Sequence, residues 1–146
     1  MRIRPATPAD VPELARLAAA SYRASFLLII GEDGLAIRSP SYFIGRFTDQ
    51  WPSIRLAEDA SGRIAGLYQV RGGKLDMLFL DPQDTGKRLG TQLLIDAEQD
   101  GAVRLECFSA NQRARRFYER NGWQLEREFR QEFAGKQQDI VAYSKP

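Results

Sequence analysis

The sequence predicts a single α/β domain with a mixed, mostly antiparallel central sheet of about seven strands flanked by about four helices. Three observations carry this. The stretch LDMLFLDPQDTGKRLGTQLL, Leu75 to Leu94, reads as a buried strand, a glycine-bearing turn and the start of a helix. A second strand–helix unit, LECFSANQRARRFYERNGW, follows at Leu105 to Trp123. Around them stand two hairpin patterns, Ser53 to Val70 and Gln124 to Ser144.

In chain order, Ile3 between Arg2 and Arg4 marks a short first strand. Thr7-Pro8-Ala9-Asp10 is a helix start, because threonine caps, proline fits the first position and aspartate favours the positive end. Val11, Leu14, Ala15, Ala18 and Tyr22 then form an apolar stripe, placing a helix over Pro8–Ser25. Phe26 to Trp51 is broken by Gly31, Gly34 and Pro40, and Tyr42, Phe43 and Phe47 suggest a short second helix. This segment reads either as a hydrophobic clasp over the core or as one wall of a substrate pocket, with the last hairpin as another. Ser53–Glu58 and Arg63–Val70 form strands around the turn Asp59-Ala60-Ser61-Gly62, and Gly72-Gly73 leads into the strand Leu75–Leu80. Its apolar run Met77-Leu78-Phe79-Leu80 fits a strand covered on both faces, stopped by Asp81-Pro82. Leu89, Leu93, Leu94 and Ala97 carry a helix that ends near Gly101. The strand Val103–Phe108, a helix over Asn111–Asn121 and a hairpin of Gln124–Phe133 with Asp139–Ser144 around Ala134-Gly135 complete the chain.

Composition narrows the function classes. The 146 residues, 43% hydrophobic and 27% charged, are ordinary for one soluble domain with a real core. A net charge of +2 makes no case for nucleic acid. The N-terminus shows no secretory signal, and the longest apolar run, Phe26 to Ile30, is too short to span a bilayer, so no membrane association and a cytoplasmic location are expected. Cys107 is the only cysteine and histidine is absent. That excludes a Ser-His-Asp triad, a Cys-His pair and the usual Cys/His zinc sites, so no metal is expected. Acid–base chemistry must fall to carboxylate, tyrosine, lysine or water.

Between strand and helix, Thr85-Gly86-Lys87-Arg88-Leu89-Gly90, with Thr91 behind it, gathers free N–H groups at a helix start, a seat for a phosphate. It is not a nucleoside-triphosphate loop, since Arg88 follows Gly86-Lys87 where Ser or Thr is needed. Gly86 and Gly90 do not give the dinucleotide spacing either. On the next helix Asn111, Ala114 and Tyr118 share one face, flanked by Phe117. Asn111 reads as an N-cap or a ligand contact, and Tyr118 as core packing or a polar tip in need of a partner. Arg113, Arg115, Arg116 and Arg120 form a solvated face, or one or two of them reach a phosphate. Glu106, inside an apolar strand and opposite Leu105 and Cys107, is either solvated or a general base; Asp76 is a second candidate.

On these residues the chain resembles the GCN5-related N-acetyltransferase (GNAT) superfamily over nearly its whole length. LDMLFLDPQDTGKRLGTQLL is similar to its acetyl-CoA-binding motif. Asn111, Ala114, Phe117-Tyr118 and Gly122-Trp123 stand at the spacing of its next motif. The resemblance implies the GNAT fold, with the strands Leu75–Leu80 and Val103–Phe108 side by side and diverging at one end, a primary amine of a small molecule or peptide as acceptor, acetyl-CoA as co-substrate and no metal. It leaves a homodimer open. It implies that the backbone around Leu78, Phe79 and Leu80 binds the pantetheine arm, with N–H groups near Phe79 and Leu80 stabilising the oxyanion. The loop Thr85 to Gly90 and Thr91 would hold the pyrophosphate. Asn111, with Ala114 and Phe117 beside it, would contact the cofactor, and Tyr118 would protonate the leaving thiolate. Glu106 lies five residues before Asn111, where ribosomal-protein alanine N-acetyltransferases carry their general-base glutamate. Two residues depart from the family loop: Thr85 replaces its first Gln or Arg, and Arg88 its middle glycine. If that position requires positive φ, arginine costs about 1–2 kcal/mol there. Other readings are a different acyl-CoA, an aminoacyl-tRNA acceptor, or a CoA-binding module without catalysis.

Overall fold

The computed structural model describes residues 1–146. The first strand, β1 (Arg2–Pro5), leads to a short turn in which the Asp10 carboxylate accepts from Thr7 N–H at 2.8 Å and from Arg4 at 2.9 Å. Helix α1 (Val11–Ala36) follows, and it runs well past the expected end at Ser25. Its only break is Gly31, at φ 70° and ψ 179°. The continuation is helical because Phe26 to Ile30 has a surface to cover: Ile30 and Leu35 are buried with Phe108 and Ile140 at the far end of the sheet. Residues 8–36 are long and apolar enough, by length and composition, to cross a bilayer. Here Leu14, Ala15, Leu17 and Ala18 of this helix are fully buried against the sheet. The Ser39 hydroxyl accepts from Tyr42 N–H at 3.2 Å and opens α2 (Pro40–Gln50), which buries Phe43 and Phe47.

Strands β2 (Ile54–Glu58), β3 (Ile64–Arg71) and β4 (Lys74–Leu80) form the expected antiparallel meander. Helix α3 (Leu89–Gln99) then returns the chain to β5 (Arg104–Phe108), and α4 (Gln112–Arg120) to β6 (Gln124–Phe133) and β7 (Lys136–Ser144). The last hairpin is tighter than expected. Phe133 pairs with Lys136, leaving the two-residue turn Ala134-Gly135 with both φ positive.

The seven strands lie in the order β1-β2-β3-β4-β5-β7-β6. Every neighbouring pair is antiparallel except β4 and β5. Helices α1 and α2 cover one face through Leu14, Leu17, Phe43 and Phe47 over Leu56 and Leu67. Helix α3 covers the other with Leu89, Leu93 and Leu94, and Trp123 and Tyr143 extend that core. Strand β6 is an edge. Its sequence QLEREFRQEF is largely exposed and charged, which blocks pairing with another chain.

The height of α3 above the sheet depends on Gly66 of β3. A Cβ there would stand 2.8 Å from Leu93 Cδ1 and 3.1 Å from the Phe79 carbonyl oxygen. Gly66→Val is therefore expected to destabilise the domain by about 1–3 kcal/mol, the usual cost of overpacking a core. Urea unfolding of wild type and variant checks this, and equal midpoints would show that α3 has room to move.

Candidate active site

A parallel neighbour has to hold β4 and β5 together, and it does so only at their start. Lys74 pairs with Arg104 and Leu75 with Leu105, and the pairing ends there. At this point Asp76 is an extra residue in β4, because Gln69 and Val70 of β3 pair with Met77 and Leu75. Such a bulge increases the local twist and bends the strand. Beyond it β4 and β5 diverge as expected, and a cleft of about 700 Å³ opens between them.

Backbone groups of a strand alternate sides. Asp81 N–H donates to Ala65 O on the β3 side at 2.8 Å. Phe79 therefore also faces β3, while the N–H and C=O of Leu78 and Leu80 face the cleft, where no strand meets them. Of the two N–H groups expected near an oxyanion, Leu80 is well placed and Phe79 is not; Leu78 takes its place.

Past Leu80 the chain turns through residues 82–84 into the loop before α3. The loop is tied down from beneath. Asp84 is 3% exposed and accepts from Arg63 at 2.5 Å and from Lys87 at 3.5 Å. Asp81 accepts from Gln83 N–H and pairs with Arg16 at 3.3 Å. With the side chains held below, the N–H groups from Thr85 through Thr91 donate to no backbone carbonyl. Gly86 has φ 83°, and Arg88 stands in the left-handed region at φ 62°, ψ 7°. The loop thus does require positive φ where the family's glycine is replaced. Thr85, Gly86, Arg88, Gly90 and Thr91 line the cleft. The side chains of Lys87 and Leu89 do not: Lys87 reaches Asp84 and Leu89 is buried in the core, so only their backbone could meet a ligand.

On the opposite wall, Asn111 caps α4, its Oδ1 accepting from Ala114 N–H at 3.2 Å. Its amide N–H groups are left for the cleft, which Asn111, Ala114, Phe117 and Tyr118 all line. The two readings of Asn111 are therefore compatible. Tyr118 packs edge-on against Phe117, with ring centroids 5.2 Å apart, and lies beside Trp123 and Tyr143. Burial, and then the nearby Cys107, push its phenol above the ordinary tyrosine range, with no hydrogen bond from the protein offsetting them. The phenol is held neutral. Cys107 is pushed up to about 11 by burial, which keeps it an unreactive thiol.

Both candidate carboxylates line the cleft. Glu106 is ion-paired with Lys74 at 3.3 Å and faces Arg127 at 3.9 Å, with a third of its side chain exposed. Asp76, at the bulge, is more enclosed and accepts from Arg71 Nε at 2.6 Å.

Among the arginines of α4, Arg115 turns inward to Tyr143 and to the Ser109 carbonyl, each at 3.2 Å. Arg113, Arg116 and Arg120 line the cleft with Arg88, and none of the four is held in an ion pair. The fit to acetyl-CoA rests on this. An anionic diphosphate needs N–H donors and cations, and a pantetheine amide chain needs a free strand edge. Unpaired N–H groups, four free guanidinium groups and the Leu78–Leu80 edge lie in one cleft. Phe26 and Phe133, from the two segments expected as pocket walls, line the cleft; the lining rings that sequence reasoning missed are Tyr22 and Phe108. Alternation places Phe108 on the side of Glu106, but no local pattern brings Tyr22 of α1 to it.

Residues 51–125 match the acetyltransferase (GNAT) domain family. The chain belongs to that family and is an acetyltransferase. Solved structures agree over almost the full length. A GCN5-related N-acetyltransferase from Rhodopseudomonas palustris superposes with a TM-score of 0.77 at 22% identity, covering 99% of this chain and 94% of that one. The PaiA N-acetyltransferase from Thermoplasma acidophilum, in complex with coenzyme A, gives 0.72 at 22%, covering 99% and 98%. A ribosomal-protein-alanine N-acetyltransferase from Brucella melitensis gives 0.67 at 19%, covering 99% of both chains. At such identities these similarities establish the fold. No curated protein matches the sequence.

Arg88 generates a prediction with two readouts. Arg88→Gly removes a left-handed non-glycine residue and should stabilise the ligand-free protein by up to about 1 kcal/mol, part of the αL cost being offset by the flexibility of unfolded glycine. It also removes a cleft cation, so CoA affinity should fall and its salt dependence flatten. Melting curves check the first effect and titrations at two ionic strengths the second.

Proposed function

We propose that this acetyltransferase moves the acetyl group of acetyl-CoA to a primary amine of a small molecule or peptide. One observation carries the proposal: the free edge at Leu78–Leu80, the unpaired N–H groups of Thr85–Thr91 and the Tyr118 phenol share one cleft. Acetyl-CoA, when bound, supplies a thioester carbonyl open to attack.

The residues of this chain then divide the work. The N–H groups of Thr85–Thr91 and the guanidinium groups of Arg88, Arg113, Arg116 and Arg120 hold the anionic end, with the Asn111 amide beside them. Leu78 and Leu80 receive the pantetheine arm as an added strand. Their N–H groups are fixed dipoles at the position where oxyanion charge grows. The amine attacks only when neutral, so a base must take its proton. Glu106, reached through water at the exposed side of β5, is the first choice. Asp76, held by Arg71, is the second. Tyr118 returns a proton to the sulfur. Burial that raises the phenol would also disfavour a free thiolate beside it, so both shifts run in the same direction.

Binding is tested first. At about a hundred times Kd, CoA should stabilise the fold by roughly 2.7 kcal/mol. At about 2–4 °C per kcal/mol that corresponds to a Tm rise of roughly 5–11 °C, and no shift at millimolar CoA would overturn the donor assignment.

Chemistry is tested by substitution. Tyr118→Phe keeps the ring and should leave CoA affinity intact while kcat falls by roughly 10²–10⁴. Glu106→Gln should lower the rate and remove the acidic limb of the kcat/KM profile. If Asp76→Asn removes that limb instead, the base is Asp76. Rates near wild type in both Tyr118→Phe and Glu106→Gln would refute the mechanism.

A further inference from the structure

A proton donor has to be aimed, and no hydrogen bond aims Tyr118. Its hydroxyl meets no partner in the protein, so its direction comes from ring packing. The ring rests on Phe117, Trp123 and Tyr143, with centroids 5.2, 6.2 and 6.3 Å away. The helix that carries it is weakly seated by apolar surface. The apolar side chains of α4 are Ala114, Phe117 and Tyr118; none is fully buried, and all three line the cleft. A helix this short and this polar gains little from burial and needs another anchor.

The anchor is a phenol. Tyr143 of β7 is fully buried, and its hydroxyl donates to Glu119 Oε2 at 2.5 Å while accepting from Arg115 Nε at 3.2 Å. Arg115 Nη1 donates in addition to the Ser109 carbonyl at 3.2 Å, which ties α4 to the turn after β5. Arg115 and Glu119 stand four positions apart, so they grip the phenol from successive turns of one helix side. A roll of α4 about its axis would break both bonds and leave buried polar groups unsatisfied. Arg115, Glu119 and Tyr143 are all absent from the lining of the cleft, so none of them meets a substrate there.

We propose that Arg115, Tyr143 and Glu119 form a clamp that fixes the roll of α4 and thereby aims the Tyr118 phenol into the cleft. They are positioning residues. The proposal rests on the acid role given to Tyr118 above and specifies what makes that role effective. Misplacing a catalytic group by about 1 Å costs on the order of 10²-fold, and the loss cannot exceed what the Tyr118 hydroxyl itself contributes.

The test is a double-mutant cycle on kcat, with folding checked by melting. Tyr143→Phe keeps the buried ring and leaves Arg115 and Glu119 free to pair with each other, which protects the helix. It should lower kcat at least tenfold while KM for acetyl-CoA stays within threefold. Arg115→Met should do the same to kcat, and Arg115→Lys, which can replace one of the two hydrogen bonds, should recover part. In a Tyr118→Phe background Tyr143→Phe should cost less than twofold, because no hydroxyl is left to aim. A full tenfold loss in that background, or none in the wild-type background, overturns the clamp. A second readout does not depend on turnover. In protein labelled with ¹³Cζ-tyrosine, the Tyr118 signal is assigned by its absence from Tyr118→Phe, and it should shift or split in Arg115→Met. An unmoved signal overturns the clamp. A wild-type rate in Tyr118→Phe overturns the acid role instead, and the labelled signal then decides the clamp alone.

Discussion

The structure turns on one incomplete pairing. Strands β4 and β5 are joined at Lys74–Arg104 and Leu75–Leu105 and nowhere else. Had the pairing continued, the sheet would be closed at its centre and no ligand could reach it. The interruption has a local cause. Asp76 is an unpaired extra residue, and the bulge re-aims β4 just after the second pair. It also carries a cost, because backbone groups that would bond across a closed sheet are left to water or to a ligand. The remaining sheet tolerates the gap because each half has its own neighbours. On one side β4 is bonded to β3, and on the other β5 is bonded along its length to β7. The helices follow the same division. Helices α1 and α2 face one core cluster and α3 the other.

Around that gap the chain spends its buried charge on holding backbone in place. Asp84, nearly inaccessible, is satisfied by Arg63 and Lys87, and Asp81 by Arg16 and Gln83 N–H. Both sit beneath the loop that presents Thr85 to Thr91. A loop whose N–H groups have no internal partner would otherwise fold back on itself or fray. Here its feet are fixed by ion pairs to Arg63, just before β3, and to Arg16 of α1, so its donors stay directed outward. The same logic explains how Arg88 can occupy a left-handed conformation: the surrounding structure determines it, and its side chain is thereby delivered to the cleft.

Most of this architecture was legible in the sequence, and the illegible parts share a cause. Strand and helix periods gave all seven strands and four helices, because each is a local pattern. The divergence of β4 and β5 was expected from the family resemblance, but its onset at Asp76 needs the register with β3, which no local pattern carries. The end of α1 was misplaced by the glycines after Phe26. Gly31 does break the helix, but the surface that keeps Phe26–Ile30 helical is Phe108 and Ile140, far along the chain. The role of Arg115 was hidden for the same reason, since its partner Tyr143 lies 28 positions on. Glu106 was placed correctly on its strand face, yet its ion pairs with Lys74 and Arg127 come from β4 and β6.

The polarity of the cleft follows from this assembly. Arginines enter from the loop before α3 and from α4, both on one side of the gap. Rings enter from α1, β5 and β6, which meet at the other end. Tyr118 and the Leu78–Leu80 edge line the same cleft. On the proposed reading, an anionic donor would be drawn to the arginines while its acceptor enters among the rings, the two meeting beside a neutral phenol and free N–H groups. Orientation of this kind needs no moving part. It is a consequence of which elements border the unpaired stretch of β4, and of the charge each of them carries.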